Sequence, residues 1–332
     1  MDKTSSECVA LSKNRRIMFL TSFLSKRVDK NNLRRQRSMD YYEQLVPRFE
    51  ESVRIDRNIF QIYIRGNDSS AEDVMDRLTS DFVENIEKLK TNNPDYKYQL
   101  LSDREAEQFI LQYYGEIIWN YYQRIDKSYP AAKADLLRYL LLYARGGVYL
   151  DLKSGLSAPL TETIREDDRF LVFYWDNRPG GQHHYLIPEY IKKGEMLQAF
   201  IISSRGHPLL RKVIINVLRQ IDQYNPYRNG VGWEGTLTTV GPVVYTKTIY
   251  NVITNKEIES RYREGKPWGE FGFSVYFAGE YIPGDYQKKL SMKDYRKSSH
   301  PVIICEKRWL QMVNINWLKV LAMAQCVRKK WR

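Results

Sequence analysis

The stretch ADLLRYLLLYARGGVYLDLK, residues 134–153, decides the fold that we expect for this chain. Leucines cover most of the circumference of its first twelve residues, which predicts a buried helix. The double glycine at positions 146 and 147 suits the left-handed turn that ends a helix. Val148 to Leu152 then alternate as a short strand, with Asp151 and Lys153 on the opposite face from its apolar residues. The stretch therefore predicts a helix, a glycine turn and a strand that ends on charged residues.

The charged residues of this apolar unit indicate a site. Asp135, Arg138 and Tyr139 are spaced i, i+3, i+4, so they share one polar strip of the helix. With Asp151 they are expected to surround one crevice. Burying charge is costly unless it is paired. A structural ion pair inside the helix would explain Asp135 and Arg138, whereas a ligand site would also explain Asp151.

The same residues resemble the signature of GT-A-fold glycosyltransferases with an Asp-x-Asp motif, in particular the OCH1-like group and the related clostridial glucosylating toxins. In that signature, Asp-x-x-Arg on an apolar helix precedes Gly-Gly-Ile/Val-Tyr-x-Asp-x-Asp. The chain departs from it at the last position, where Lys153 replaces the second aspartate and makes the motif Asp-x-Lys. It matches the signature at Asp135, Arg138, Tyr139, Gly146, Gly147, Tyr149 and Asp151.

Weaker echoes extend the resemblance over roughly residues 56 to 250, and they follow the order in which the family has them. They are Ile59 to Tyr63 (the first strand), Asn93 to Tyr98 (before the second strand), Gly206-His207-Pro208, and Val240-Gly241-Pro242.

The sequence pattern predicts an α/β protein with a mainly parallel sheet, because strand and helix patterns alternate up to about residue 175. The resemblance implies the Rossmann-like GT-A fold with helices flanking the sheet. We predict a basic, partly helical N-terminal extension at 1–55, a GT-A glycosyltransferase domain at 56–305 and a basic amphipathic C-terminal helix at 306–332. The glycine-rich segment 229–241 is predicted to be a loop.

The activity that the resemblance implies is transfer of a hexose from a UDP- or GDP-sugar to a glycan, glycolipid or glycoprotein acceptor, with retention of configuration. Asp135 and Arg138 would contact the donor sugar. Asp151 would reach the ribose and a Mn²⁺ or Mg²⁺ ion.

Lys153 puts that metal in doubt, because an ammonium group offers only hydrogen-bond donors and cannot bind a cation. Two hypotheses follow. Either Lys153 itself neutralises the diphosphate in a metal-independent enzyme, or Asp151 holds the metal together with a group from the C-terminal part, for which His300 is a candidate. We favour a weakened or absent metal.

Further candidates fall into two sets. The nucleotide-sugar pocket would be formed by Phe60, Gln61, Ile62, Tyr63, Asp135, Arg138, Tyr139, Tyr149, Leu150 and Asp151, although core packing explains Tyr63 equally well. Candidates on the acceptor side are Asp176, His183 and Glu234.

The positive charge of the chain lies at its ends. The formal charge is +12, and residues 13–37 and 319–332 contribute +8 and +5, so the rest is nearly neutral. Basic termini favour peripheral contact with an anionic membrane surface or solubility alone. Three distant cysteines fit a reducing compartment, and we find no transmembrane anchor in the sequence. We therefore expect a cytoplasmic protein, peripheral to a membrane if the termini bind lipid.

An alternative reading is a non-catalytic protein on a degenerate transferase fold, which would bind a nucleotide or glycan, or nucleic acid through its basic ends. As a transferase, the chain is not expected to bind nucleic acid. The sequence contains no GxSxG, HExxH, P-loop or GxGxxG pattern, so hydrolase, zinc-protease, kinase-like and dinucleotide-binding functions lose their usual support.

Overall fold

The computed structural model of the protein describes residues 39–156, 158–174, 186–256, 261–264, 275–277 and 295–304. The chain divides into two compact units, residues 1–44 and residues 45–332. The helix α1 spans Met39–Leu45. Every other element described below belongs to the second unit.

Strands and helices alternate along the chain. Strand β1 (Asn58–Ile62) is followed by α2 (Ala71–Met75), α3 (Ser80–Asn92), β2 (Lys97–Leu101), α4 (Asp103–Gln123), α5 (Pro130–Arg145), β3 (Gly147–Leu150), β4 (Ser154–Leu156), α6 (Leu160–Thr163) and β5 (Phe170–Val172). The later elements are β6 (Phe200–Ser203), α7 (Pro208–Gln223), α8 (Pro226–Asn229), α9 (Gly232–Thr239), α10 (Pro242–Asn255), β7 (Arg263–Glu264), β8 (Val275–Phe277) and a 3₁₀ turn at Tyr295–Lys297.

The main sheet has six strands in the order β2-β1-β3-β6-β5-β7. Five of them run in the same direction and β6 runs opposite to its neighbours β3 and β5. Strands β4 and β8 form a separate antiparallel pair. The predicted α/β class with a mainly parallel sheet and flanking helices is therefore confirmed.

The α5–β3 unit forms as its sequence predicts. The residues from Ala132 to Ala144 are all buried. The α5 helix ends at Arg145, its C-cap Gly146 has a φ of +62°, and Gly147 follows with a φ of +114°. A Cβ at Gly146 would lie 2.1 Å from a carboxylate oxygen of Asp56, and a Cβ at Gly147 would lie 2.5 Å from the carbonyl oxygen of Asn58. The glycines thus permit both the turn and a close approach to the start of β1.

Two sequence-based predictions of local structure are wrong. The strand predicted for residues 148–152 ends at Leu150, because the chain turns there and the Ser154 N–H donates to the Asp151 carbonyl oxygen at 2.7 Å. The loop predicted for residues 229–241 contains helix α9. One of its glycines, Gly235, serves packing, since a Cβ there would lie 2.7 Å from the Gly230 carbonyl oxygen.

The predicted domain limits remain a prediction, and the C-terminal helix expected at 306–332 lies outside the described residues. Within the described ranges, no helix combines the length and the apolar character needed to cross a bilayer.

Candidate active site

The candidate site lies where β3 ends and β6 begins. Leu150 pairs with Phe200 across these antiparallel strands, so the residue after β3 and the residues before β6 meet at one edge of the sheet. The Asp151 N–H donates to the Ala199 carbonyl oxygen at 2.9 Å. Helix α5 packs beside this edge and contributes side chains from successive turns.

The Arg138 guanidinium joins two carboxylates. Its Nη2 lies 2.9 Å from Asp135 Oδ1, and its Nη1 lies 3.3 Å from Asp151 Oδ1. The side chains of Arg138 and Asp135 are each only 6% exposed. The Cζ atom of Arg138 also lies 4.4 Å from the centre of the Tyr149 ring. The structure therefore brings together the helix pair and the strand-end acid that the sequence predicted to converge.

Asp151 is surrounded by donors and cations. The Tyr149 hydroxyl donates to Asp151 Oδ1 at 2.8 Å, and Lys153 Nζ lies 4.0 Å from Asp151 Oδ2. Gln61 Nε2 donates to the Asp151 carbonyl oxygen at 3.2 Å. Side-chain exposure rises outward in this cluster, from 6% for Arg138 to 22% for Asp151 and 27% for Lys153. Lys153 thus lies at the solvent side of the cluster.

Gln198 is a site residue that the sequence analysis missed. Its side chain Nε2 donates to Asp135 Oδ1 at 3.1 Å, and its Oε1 accepts a hydrogen bond from the Tyr139 hydroxyl. Its carbonyl oxygen accepts from Arg138 Nη1 at 2.9 Å. Sixty residues separate Gln198 from Arg138, and the sequence offers no hint of its role beyond its position ahead of Gly206-His207-Pro208.

Burial controls the ionisation of the cluster. It raises the pKa of Asp135 to about 6, with Arg138 and the amide of Gln198 opposing the rise and Asp151 adding to it. Burial alone would lower the pKa of Arg138, but Tyr149 and the two carboxylates raise it, so the guanidinium stays charged. Near neutral pH, Asp135 is ionised and lies close to its titration range.

Gly241 closes the site on the side of Asp135. A Cβ at this position would lie 3.2 Å from Asp135 Oδ2 and 2.9 Å from the Cα atom of Leu237. Gly241 is the N-cap of α10, so the backbone at the start of that helix lies against the carboxylate. The weak sequence echo Val240-Gly241-Pro242 therefore lies at the candidate site.

The predicted nucleotide-pocket residues are mostly interior. Phe60, Gln61, Ile62, Tyr63, Tyr139, Tyr149 and Leu150 are each at most 6% exposed. Gln61 contacts the site through the backbone of Asp151, and its Oε1 accepts from the Tyr98 hydroxyl at 2.9 Å. Tyr139 stacks on Tyr245 of α10, with ring centres 5.6 Å apart. Their contact with a nucleotide sugar stays a prediction.

The acceptor-side candidates are only partly described. Asp176 and His183 lie outside the described residues. Glu234 is half-buried in the first turn of α9, next to Gly230. Its role stays a prediction.

The described residues do not fit a divalent metal. They contain no group of three or more His, Cys, Asp or Glu side chains able to hold one. Asp151 already contacts Arg138 and Lys153, and these cations oppose a third positive charge. His300 is exposed, and its carbonyl oxygen accepts from the Tyr129 hydroxyl.

Comparison with known proteins supports the resemblance. Residues 79–171 match the family described as a glycosyltransferase sugar-binding region containing a DXD motif. This segment includes α5, β3 and the four charged residues of the candidate site, Asp135, Arg138, Asp151 and Lys153. The resemblance to sugar transferases seen in the sequence is therefore confirmed, whereas the significance of Lys153 in the Asp-x-Lys form of the motif stays a prediction.

Several curated relatives are similar over part of their length. The initiation-specific alpha-1,6-mannosyltransferase of Candida albicans is 25% identical, over 68% of this chain and 59% of the relative. The inositol phosphoceramide mannosyltransferase 3 of Schizosaccharomyces pombe is 31% identical, over 41% of this chain and 32% of the relative. The chain thus spans less than two thirds of these relatives.

Among solved structures, the PaToxG glycosyltransferase is 18% identical, with a TM-score of 0.43 over 69% of this chain and 79% of the other. The ligand-free glycosyltransferase domain of the YGT toxin is 10% identical, with a TM-score of 0.40 over 64% of this chain and 81% of the other. These similarities are too low to support a conclusion about function.

Proposed function

We propose that this protein is a glycosyltransferase that moves a hexose from a nucleoside diphosphate sugar to a glycan, lipid or protein acceptor, with retention of configuration. The observation that carries the proposal is the convergence of Asp135, Arg138 and Asp151 at one sheet edge, joined by contacts of 2.9 and 3.3 Å. A helix ion pair alone would not require Asp151 to join it.

The donor sugar is held by Asp135 and Arg138. Ionised Asp135 accepts hydrogen bonds from sugar hydroxyls, and such charge-assisted bonds are stronger than neutral ones. Most N–H groups of the Arg138 side chain already contact the carbonyl oxygens of Ala134 and Gln198 and the carboxylates of Asp135 and Asp151. Its main task is therefore to hold the acids in place, with a remaining Nη2 hydrogen directed at the sugar.

Lys153 stabilises the leaving group in this proposal. When the bond between the anomeric carbon and the diphosphate oxygen breaks, negative charge grows on the diphosphate. The acceptor oxygen bonds to the same face of the anomeric carbon, and its proton passes to the departing diphosphate. The partly exposed ammonium of Lys153 supplies positive charge where the family motif has its second aspartate, so the reaction is proposed to proceed without a metal.

Mannose is the first hexose to test, because the relatives are named as mannosyltransferases. The cytoplasmic location, membrane-peripheral contact through the basic termini, and the domain limits 1–55, 56–305 and 306–332 accompany this proposal as predictions.

The test is binding and turnover of UDP- and GDP-sugars by the full chain, in EDTA and in Mn²⁺. We expect binding and donor hydrolysis or transfer in EDTA. Activity that appears only with Mn²⁺ would contradict the proposed role of Lys153 but would still support the proposed transferase activity. Binding without turnover of any donor would favour the non-catalytic alternative, as would salt-sensitive nucleic-acid binding without sugar-nucleotide binding.

A matched pair of variants tests Lys153 directly. Lys153→Asp restores the family motif, and it is expected to lose activity in EDTA and to recover part of it in Mn²⁺. Lys192→Asp, on an exposed residue, makes the same charge change elsewhere. Its activity should equal that of the wild type in EDTA and in Mn²⁺. Equal behaviour of the two variants would argue against Lys153 as the leaving-group cation.

A further inference from the structure

We propose that Gln198 is the positioning residue that sets Asp135 and Arg138 for the donor sugar, which rests on the proposed function and extends it. One residue contacts three side chains of α5. Its amide bonds to Asp135 and Tyr139, and its carbonyl oxygen bonds to Arg138. These residues are spaced i, i+3, i+4, so Gln198 spans the polar strip of the helix.

The orientation of the Gln198 amide follows from chemistry. An ionised carboxylate only accepts hydrogen bonds, so the NH₂ group must face Asp135. The amide oxygen then faces the Tyr139 hydroxyl, which must donate. Burial raises the pKa of Tyr139 well above its ordinary value, which keeps this hydroxyl protonated. The hydrogen bonds therefore run in one direction: Tyr139 donates to Gln198, and Gln198 donates to the Oδ1 atom of Asp135.

The backbone beside Gln198 is held firmly. The Leu197 N–H donates to the Phe173 carbonyl oxygen at 2.8 Å, and the Ala199 carbonyl accepts from Asp151 at 2.9 Å. The Met196 N–H donates to Thr246 Oγ1 at 2.9 Å. A fixed backbone, together with hydrogen bonds from both ends of the amide to Asp135 and Tyr139, restricts the rotamers of this otherwise flexible side chain, which is what positioning requires. Gln198 itself is partly exposed, so it lies at the border of the site and not in the buried core.

The bonding pattern leaves Asp135 Oδ2 for the sugar. Oδ1 accepts from both Arg138 and Gln198, whereas no side chain among the described residues donates to Oδ2, and its neighbour Gly241 has no side chain of its own. Holding Oδ1 from two directions fixes the plane of the carboxylate and therefore the direction of the Oδ2 lone pairs. Loss of Gln198 should weaken recognition of the sugar and leave recognition of the nucleotide unchanged.

The experiment compares two ligands by calorimetry on the full chain, GDP-mannose (or whichever UDP- or GDP-sugar the wild type binds best) and the matching free nucleoside diphosphate. Gln198→Met keeps the length of the side chain but neither donates to Asp135 nor accepts well from Tyr139. We expect affinity for the sugar nucleotide to fall about tenfold, with affinity for the free diphosphate changed less than about twofold. Gln112→Met, on an exposed residue of α4, is the matched control and should change neither.

A second variant distinguishes loss of the positioning contact from loss of the folded structure. Gln198→Glu keeps the acceptor for Tyr139 but places a carboxylate against Asp135, so at pH 8 it should lose at least as much sugar-nucleotide affinity as Gln198→Met. If both variants bind the sugar nucleotide as the wild type does, or lose both ligands equally, the positioning role is overturned.

Coupling to Tyr139 provides an independent check. Because Tyr139 acts through Gln198, adding Tyr139→Phe to Gln198→Met should cause little further loss, whereas additive losses would overturn the proposed chain. A wild type that binds the free diphosphate but no sugar nucleotide would refute the proposed transferase, and with it the role of Gln198. If the wild type binds the sugar nucleotide and the Gln198 variants bind it equally well, only the positioning role of Gln198 is refuted.

Discussion

Two regions meet at the candidate site, and they differ in how they are encoded. The α5–β3 unit supplies Asp135, Arg138 and Asp151 through fixed spacing along one helix and one strand. Residues 196–199 supply Gln198 from a segment without regular structure. The first region is held by its own helix and turn, the second by bonds to distant partners. Sequence patterns therefore reveal one wall of the site, and only packing reveals the other.

The largest effect should come from breaking the charge cluster in the α5–β3 unit. Arg138→Met removes the partner of two carboxylates, one of them buried, and loss of one member of a buried pair costs about 3–5 kcal/mol. We expect the free energy of unfolding at pH 8 to fall by about that amount, measured by urea denaturation. Loss of sugar-nucleotide binding should accompany it.

Arg104→Met is the matched control. Arg104 lies 3.9 Å from Asp68, and both side chains are more than half exposed, so its removal should cost less than about 1 kcal/mol. Similar costs for the two variants would mean that the cluster contributes no more than a surface ion pair.

The next effect concerns the turn that joins α5 to β3. Gly146 (φ +62°, ψ 173°) and Gly115 of α4 (φ +73°, ψ −175°) have nearly the same backbone conformation. A Cβ at Gly115 has no atom within 4 Å, whereas at Gly146 it would meet Asp56 and Arg205 at 2.1 and 2.5 Å. Gly115→Ala should show the strain alone, about 1–3 kcal/mol.

Gly146→Ala adds the clash, so its loss in the free energy of unfolding should exceed that of Gly115→Ala by about 2 kcal/mol. Equal losses would show that the close approach between α5 and β1 relaxes easily. The measurement is thermal or urea unfolding of both variants side by side.

Much of this fold could be predicted from the sequence, because apolar periodicity and the double glycine act locally. The helix and turn of residues 130–147 are where the pattern placed them. The end of β3 could not be predicted, since the turn after Leu150 depends on a hydrogen bond made inside the folded chain. Helix α9 could not be predicted, because glycines in sequence indicate a loop, whereas in the fold Gly235 serves close packing.

For the candidate site as well, only some of the residues could be predicted from the sequence. Asp135 and Arg138 are neighbours on one helix turn, so their contact follows from spacing alone. Gln198 reaches Asp135 only because β6 runs opposite to β3 and starts at the same edge. A single glutamine has no spacing pattern to distinguish it from the surface glutamines of the chain.

A third, smaller effect is the pH dependence of sugar binding. Burial raises the pKa of Asp135 from 3.8 to about 6, so the proton is held more tightly in the folded than in the unfolded chain. This residue should lower stability as pH rises from about 4 to 6, and it should lower sugar-nucleotide affinity as pH falls below about 6, by about tenfold per pH unit.

Calorimetry between pH 5 and pH 8 tests this dependence. Asp135→Asn should bind weakly and with no such change across the range. A wild-type affinity that is constant from pH 5 to pH 8 would contradict an ionised Asp135 as the sugar ligand.

The smallest effect concerns the second region. Thr246→Val keeps the shape of the side chain but leaves the Met196 N–H without the acceptor that it has at 2.9 Å, at a cost of about 1 kcal/mol. Because Gln198 lies two residues away, sugar-nucleotide affinity should also weaken, by about twofold to threefold. Thr161→Val, at an exposed position, should change neither quantity, and a Thr246→Val variant with unchanged affinity would show that Gln198 needs no such anchor.

The reversed direction of β6 has a consequence for how this site can diversify. Strand β5 ends, and β6 begins, at the edge that carries Asp151, so the chain between Phe173 and Ala199 starts and ends at the edge of the candidate site. Insertions or deletions in that segment would alter what borders the site without displacing the helix that carries Arg138. Under the proposed function, acceptor specificity could therefore change during evolution while the donor-binding residues stayed constant.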